Sequence, residues 1–259
     1  MRRALLGGGY IELVESWGSD ERIVEAARMS TAKGFLGWGP RCVECGYAKE
    51  CGDHEAGCSR SGEHESDWKP GDEKLLAYLW DHQHATPFEM AGLTFEVKAP
   101  IMVFREWHRH RTQGFNEMSA RYVPLPNDHY VPTVERVRAN AVTGTANRQA
   151  QGTTGRAPTE AETAAWLAEL EAVYGRAQEV YERGLAIGVP KELARLPVPV
   201  ARYSVMRATA NLRNWIGFLR LRCDAAAQWE IRQYADAIAD TLGEVFPRTY
   251  AVAKGAFGR

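Results

Sequence analysis

A chain of 259 residues is long enough to bury a substantial core, and its 45% apolar composition is that of an ordinary water-soluble protein. With 32 Lys and Arg against 33 Asp and Glu the formal net charge is -1, which argues against a surface built throughout for nucleic acid or anionic membrane, so any anion site has to be local. The opening "MRRALLGGGYIELVES" has too short an apolar run for a secretory signal, and no later stretch is apolar enough to span a bilayer. The expected location is therefore cytoplasmic, where five cysteines are expected as thiols or metal ligands rather than disulfides.

In chain order, "YIELVE" (Tyr10 to Glu15) alternates as a strand does, and Asp20 stands where it can cap the helix "ERIVEAARMS". Gly37 to Asp72 is rich in Gly, Cys and charge and reads as an insertion. "EKLLAYLWDHQH" (Glu73 to His84) reads as a helix. "GLTFEVKAP" alternates again and ends at Pro100, whose ring suits the first turn of the helix "IMVFREWHRH". Ala139 to Ala157 is small and polar, the composition of a flexible surface loop. Thr159 and Glu162 form a capping box opening a long helix with the apolar stripe Trp166, Leu170, Val173, Ala177 and Val180, and Gly188 and Pro190 punctuate its end. The last third reads as a strand "RYSVMRAT", a helix "NLRNWIGFLRLR", and a helix from Asp224 carrying Ile231, Ala235, Ile238, Leu242 and Val245 on one face. These elements predict an α+β fold, a mostly antiparallel sheet with packed helices, in a single domain with a Cys-rich insertion at about 37–72 and a flexible loop at about 139–157.

The densest polar stretch is "RHRTQGFNEMSARY", Arg109 to Tyr122, at a predicted helix end and the loop beyond it. Consecutive helical residues diverge by about 100°, so Arg109, His110 and Arg111 converge on one ligand only if the helix stops there. Asn116, Glu117, Ser119 and Arg121 complete an inventory suited to a nucleotide: guanidinium forks for phosphate, a hydroxyl donor, and a carboxylate for sugar or ring N–H groups. A second cationic set follows at Arg195, Asn211, Arg213 and Arg222. Arg213 and Arg222 fall about 180° apart on a helix, so they serve different ligands or one ligand from different subunits. Arg195 and Arg222 adjoin apolar runs, which predicts burial against an anionic or carbonyl partner.

In the insertion, Cys42, Cys45, Cys51 and Cys58 begin with a C-x2-C pair in a Gly-rich loop with little apolar content, a pattern suited to tetrahedral zinc; free thiols are the competing reading. Cys223, outside this cluster, reads as a small buried residue.

"RHRTQGFNEMSARY" resembles the signature of the flavin-dependent thymidylate synthases, in which Arg-His-Arg is followed by seven residues and Ser, as in Arg109, His110, Arg111 and Ser119. "DHQHATPFEM", "DERIVEAARMS", "TANLRNWIGFLRLR" and "AQWEIRQYA" are also similar to elements of that family, in order along nearly the whole chain. The resemblance implies a homotetramer with active sites shared between subunits. It also implies conversion of dUMP to dTMP with FAD as cofactor, methylenetetrahydrofolate as carbon donor and NADPH as reductant. It assigns Ser30, Thr86, Glu89, Arg109, His110, Arg111, Asn116, Glu117, Asn211 and Arg213 to FAD. To dUMP it assigns Glu106, Ser119, Arg121, Arg195 and Arg222, and among these sets it implies catalytic roles for Arg222, His84 and Ser119. Gly114, Gly217 and Ala226 depart from the family's common Ser, Asn and His. A zinc-containing nucleic-acid-binding module is the alternative, against which stand the balanced charge and the amide and acidic neighbours of the arginines. A serine hydrolase on Ser119 and His110 lacks the strand-turn-helix elbow that chemistry needs.

Overall fold

The alternating stretches of the sequence form the middle of one antiparallel sheet. The structure, a computed structural model, describes residues 2–46, 48–49, 58–59, 68–139 and 156–258. The chain runs through β1 (Arg2–Leu5), β2 (Gly9–Trp17), α1 (Asp20–Arg28), β3 (Arg41–Cys42), β4 (Trp68–Lys69), α2 (Glu73–Asp81), β5 (Gly92–Pro100) and α3 (Ile101–Trp107). It continues through β6 (Gly114–Glu117), α4 (Val134–Ala139), α5 (Glu160–Ala186), α6 (Lys191–Ala194), β7 (Tyr203–Asn211), α7 (Leu212–Arg222), α8 (Trp229–Val245) and α9 (Pro247–Ala253). The main sheet has five strands in the order β1-β2-β5-β7-β6, and each neighbouring pair is antiparallel. The fold is the α+β arrangement that the sequence predicts.

Register puts one apolar face together. Phe95 lies opposite Ala208 and Val97 opposite Met206, all buried, with Leu93 and Ala99 on the same side of β5. Against this face pack Trp215, Phe218 and Leu219 of α7 and the Ile231, Ala235, Ile238 and Leu242 face of α8. Each large aliphatic or aromatic side chain so buried contributes about 1.5–3 kcal/mol. The opposite face is polar: Thr94 and Thr209 share a hydrogen bond of 2.9 Å, and Glu96 accepts from Tyr10 Oη at 2.9 Å.

Four local expectations change. Ser19, not Asp20, caps α1, its Oγ accepting from Arg22 N at 3.3 Å. The buried Asp20 carboxylate instead accepts from Arg248 N at 2.8 Å and Thr249 N at 3.0 Å, in the first turn of α9. α8 begins at Trp229 rather than Asp224, because Asp224 Oδ1 accepts from Ala226 N at 2.7 Å and holds a turn in place of a helix. The capping box of α5 is formed as predicted, yet its apolar stripe is not core: Trp166 and Val173 are exposed on this chain. Arg195, expected to be buried, is exposed, since the apolar run it adjoins lies at the surface with Leu196 79% exposed.

The insertion is described mainly at its stem, where β3 pairs with β4. Cys51 and most of the loop expected at about 139–157 lie outside the described residues.

Candidate active site

The Arg109-His110-Arg111 triplet sits in the turn that joins α3 to β6. α3 stops at Trp107, as convergence of the triplet requires, and the turn is fixed from below by the buried Trp107, whose Nε1 donates to Gln113 Oε1 at 2.9 Å. Asn214 of α7 braces it from the side, Nδ2 donating to Thr112 O at 3.0 Å.

This turn walls a cleft of about 1000 Å³ with α2, the 83–88 segment and α7. His84, Arg109, His110, Arg111 and Arg213 line it, and so do Gln83, Asn214, Gly217 and Arg220, which the sequence reading did not assign. The signal for Arg220 was present: Arg213, Gly217 and Arg220 stand at i, i+4 and i+7, one face of α7. A Cβ at Gly217 would meet nothing within 4 Å, so its glycine leaves that wall open. Arg213 is paired with Glu89 (Nη1 to Oε1 2.5 Å), whereas among the described residues no carboxylate stands within ion-pair distance of Arg109, Arg111 or Arg220. Three guanidiniums with unspent charge on one concave wall are a donor set for an anion of several oxygens.

Behind the wall lies a compact polar unit. Arg222 Nη1 donates to Glu106 Oε2 at 2.8 Å, Nη2 to Glu106 O at 3.0 Å and Nε to His110 Nε2 at 2.9 Å. The Arg222 side chain is only 15% exposed, so its predicted burial against a carboxylate and a carbonyl is met. Burial, and then the neighbouring Arg222 charge, lower His110 to about 4, so the ring is neutral near pH 7. Because Nε2 accepts, the proton of the neutral ring resides on Nδ1. A guanidinium has five N–H groups; among the described residues the three hydrogen bonds above leave two of them unspent.

Ser119, Glu117 and Arg195 line a different cleft, of about 470 Å³, with Leu125, Leu196 and Ser204. The pairing of β6 with β7 explains the separation of two adjacent motif residues: Asn116 lies opposite the exposed Arg207, and Glu117 lies opposite the buried Met206, on the other face of the sheet. Ser119 Oγ accepts from Arg121 N at 3.3 Å, while Arg121 Nε pairs with Glu192 Oε2 at 3.3 Å and Arg195 Nε donates to Glu192 O at 3.3 Å. Glu106 and Arg222 are thus in one place and Ser119, Arg121 and Arg195 in another, within a single chain.

The remaining predicted residues sit at the edges. Thr86 lines a recess beside the first cleft, with His84 common to both. Ser30 is exposed, its Oγ donating to Ala27 O at 3.0 Å. Asn211 caps α7, Oδ1 accepting from Asn214 N at 3.0 Å. A Cβ at Gly114 would stand 3.0 Å from Thr209 Cγ2, so a larger residue there requires Thr209 to yield.

Away from these clefts, the sulfurs of Cys42, Cys45 and Cys58 lie within 4.8 Å of one another. Burial raises the Cys42 thiol, but the backbone N–H groups of Cys45 and Glu44, together with the Cys45 and Cys58 thiols, outweigh it and bring the group down to about 6. Among the described residues no helix is long and apolar enough to cross a membrane.

The model of a family described as thymidylate synthase complementing protein matches residues 12–248. A flavin-dependent thymidylate synthase of Thermotoga neapolitana is 34% identical over 96% of this chain and 93% of its own. Another, of Thermus thermophilus, is 35% identical over 95% of this chain and 76% of its own. The crystal structure of PolB from Streptomyces cacaoi, a UMP/dUMP methylase bound with 5-Br dUMP, matches with a TM-score of 0.72 and 30% identity, covering 98% of this chain and 97% of that one.

Proposed function

The chain belongs to the thymidylate synthase complementing protein family, to which it is joined by flavin-dependent thymidylate synthases as relatives, and from that premise we propose that it methylates dUMP to dTMP with FAD as its cofactor. Methylenetetrahydrofolate is the carbon donor in this reading and NADPH the reductant. The observation that carries it is the wall of Arg109, Arg111 and Arg220 around the neutral His110, with Arg222 and Glu106 directly behind. That donor set fits the pyrophosphate and the electron-rich ring of a flavin dinucleotide. When bound, the flavin supplies the route by which reducing equivalents reach the transferred one-carbon unit.

The chain's own residues have separable tasks. Arg109, Arg111 and Arg220 hold the cofactor's anionic groups together with Arg213, with Ser30, Thr86, Glu89, Asn116 and Asn211 at its periphery and Glu117 reaching it from the Ser119 side of a second copy. His110, neutral, accepts from Arg222 and so fixes the guanidinium plane without adding charge. Glu106 balances that charge, and the two unspent N–H groups of Arg222 face developing charge on the uracil carbonyls. His84, shared by the cleft and its side recess, stands where incoming substrates pass. Ser119, Arg121 and Arg195 take the dUMP phosphate.

Because the two halves of the dUMP set are apart on one chain, we infer that a second copy brings its Ser119 side to the Arg222 side of the first, in a homotetramer. Exposed Tyr122, Leu196 and Val200 near the Ser119 cleft, and Trp166 and Val173 on α5, are surfaces such an assembly would cover. A cytoplasmic location and a zinc ion on Cys42, Cys45 and Cys58, outside the catalytic scheme, complete the reading. Tritium release from dUMP labelled at the uracil ring, in the presence of FAD, NADPH and methylenetetrahydrofolate, tests it. Protein that binds both FAD and dUMP but releases no tritium overturns it.

A further inference from the structure

We propose that the zinc ion on Cys42, Cys45 and Cys58 is a staple: by closing the stem of the insertion it fixes the packing of α1, α2 and α9 rather than taking part in catalysis. The proposal rests on the zinc reading above and adds what the ion does.

The sulfur geometry suits zinc. Tetrahedral thiolates at about 2.3 Å from a zinc ion stand about 3.8 Å from one another. Cys42 Sγ and Cys58 Sγ are 3.7 Å apart, and Cys45 Sγ is in the same cluster. Cys42 and Cys45 sit on a tight knuckle: Gly46 N donates to Cys42 O at 3.1 Å, and Gly46 takes φ +78, a conformation that favours glycine. The Cys58 segment is brought to that knuckle by Glu44, which accepts from Ser59 N at 3.2 Å and Ser59 Oγ at 2.6 Å. Cys51, the remaining cysteine of the sequence pattern, lies outside the described residues.

A staple is needed because burial cannot do the work. From Gly46 to Asp67 the sequence has no Leu, Ile, Val, Met, Phe or Trp. The stem itself is one short β3–β4 ladder, Arg41 opposite Lys69 and Cys42 opposite Trp68. An isolated two-stranded pair is marginal in water.

Below the ladder, the stem is wired to the body. The buried Asp72 accepts from Leu36 N at 2.8 Å and Gly37 N at 3.1 Å, and pairs with Arg28 at the end of α1. Glu73, the first residue of α2, accepts from Gly39 N at 2.8 Å and from Arg248 of α9 at 2.9 Å. Trp38 Nε1 donates to Glu21 of α1 at 2.7 Å, and the Arg248 guanidinium lies over the Trp38 ring at 4.3 Å. Opening the stem frees Leu36 to Gly39 and takes away hydrogen bonds to all three helices at once.

The test uses the full chain with its thiols reduced. Metal analysis is expected to give one zinc per chain, lost in Cys45→Ser and in Cys58→Ser; no zinc, or a Cys42–Cys58 disulfide found by mass, overturns the metal site itself. Hydrogen exchange then reads the staple. With free zinc at about one hundred times its Kd, opening linked to metal release is suppressed about a hundredfold, so exchange at the Leu36, Gly37 and Gly39 amides slows by that order. Stoichiometric zinc with unchanged exchange at those amides overturns the staple and leaves the metal site standing. Zinc-free protein that keeps its FAD is expected to retain dTMP formation well below its unfolding temperature, and loss of turnover there would make the ion's role catalytic. The metal and exchange readouts do not depend on turnover, so failure of the proposed reaction is seen separately.

Discussion

The two groups into which the candidate dUMP residues divide, Arg222 with Glu106 and Ser119 with Arg121 and Arg195, hold their arginines differently. Arg222 is locked by Glu106 and His110 and is 15% exposed, whereas Arg121 is 59% exposed and meets a similarly exposed Glu192. Arg195 shares that same glutamate through its backbone carbonyl. A guanidinium oriented beforehand in a water-poor setting acts on charge that develops during reaction, at no cost of reorganisation at that moment. One that must first be ordered out of solvent contributes chiefly to binding, since exposed ion pairs are worth about 0–1 kcal/mol. In the proposed reaction the difference suits the Arg222 group to transition-state stabilisation and the Ser119 group to substrate capture.

The comparison breaks first at Arg222. Arg222→Ala is expected to lower turnover by about 10²–10³, as loss of an oxyanion-type donor does, and saturating dUMP should not restore it. Arg222→Lys should recover little, because an ammonium cannot reproduce the fork that serves Glu106 and His110 together. Full recovery of kcat at high dUMP would reduce Arg222 to a binding residue and erase the distinction between the two groups.

The second effect is smaller and of another kind. Ser119→Ala is expected to weaken dUMP binding by about 1.5–3 kcal/mol, the worth of a hydrogen bond to a charged group, while measurable turnover persists at high dUMP. Arg195→Ala should likewise act on KM. Steady-state kinetics over a wide dUMP range separate the two parameters, and a fall confined to kcat in either variant would contradict the assignment.

The third concerns pH. His110 in the folded chain is lowered to about 4 from an ordinary 6.5, so between those values the unfolded chain binds the proton and the native one does not. Its contribution to stability is therefore complete above about pH 6.5 and is lost as pH falls towards 4. Urea unfolding from pH 4 to 7 should show this slope in the parent and a shallower one in His110→Gln. An equal slope in both would mean that other groups set the acid limb.

Much of the fold was legible because its periodicities are undiluted. Leu93, Phe95, Val97 and Ala99 alternate without a break, and α8 repeats its apolar residues at three and four. β1 and β6 were missed, each only four residues long, and β6 lies within a motif whose polar residues mask the alternation. Periodicity in α5 correctly signalled an amphipathic helix but is silent about what covers Trp166 and Val173. Asp20 shows the limit of local reasoning: its backbone partners are 228 and 229 positions away, and no cap rule reaches that far. In the site, the Arg-His-Arg turn could be read from residue types, while the division of Asn116 from Glu117 needed the strand register.

The smallest effect is expected at Cys223, and it decides whether Arg222 acts alone. A thiol one residue beyond Arg222 is a natural suspect for a nucleophile that attacks the uracil ring, and a nearby guanidinium is the kind of neighbour that activates a thiolate. Adjacent residues at a helix end point about 100° apart, however, and here they diverge fully. Arg222 reaches Glu106 and His110, whereas Cys223, at the C-terminal cap of α7, is 5% exposed and packs in the core. Among the described residues it borders a separate opening lined by Arg232, Asp236 and Asp240, which shares no residue with the cleft of Arg109 or that of Ser119. Electrostatic stabilisation by Arg222 is then expected to act without a covalent partner. Cys223→Ala should keep near-native dTMP formation and cost about 1 kcal/mol of stability, a fall of roughly 2–4 °C in Tm for a chain of this size. A dUMP adduct mapped to Cys223 by mass spectrometry, or loss of turnover in a folded variant with FAD and dUMP bound, would return the thiol to the mechanism and make Arg222 its activator.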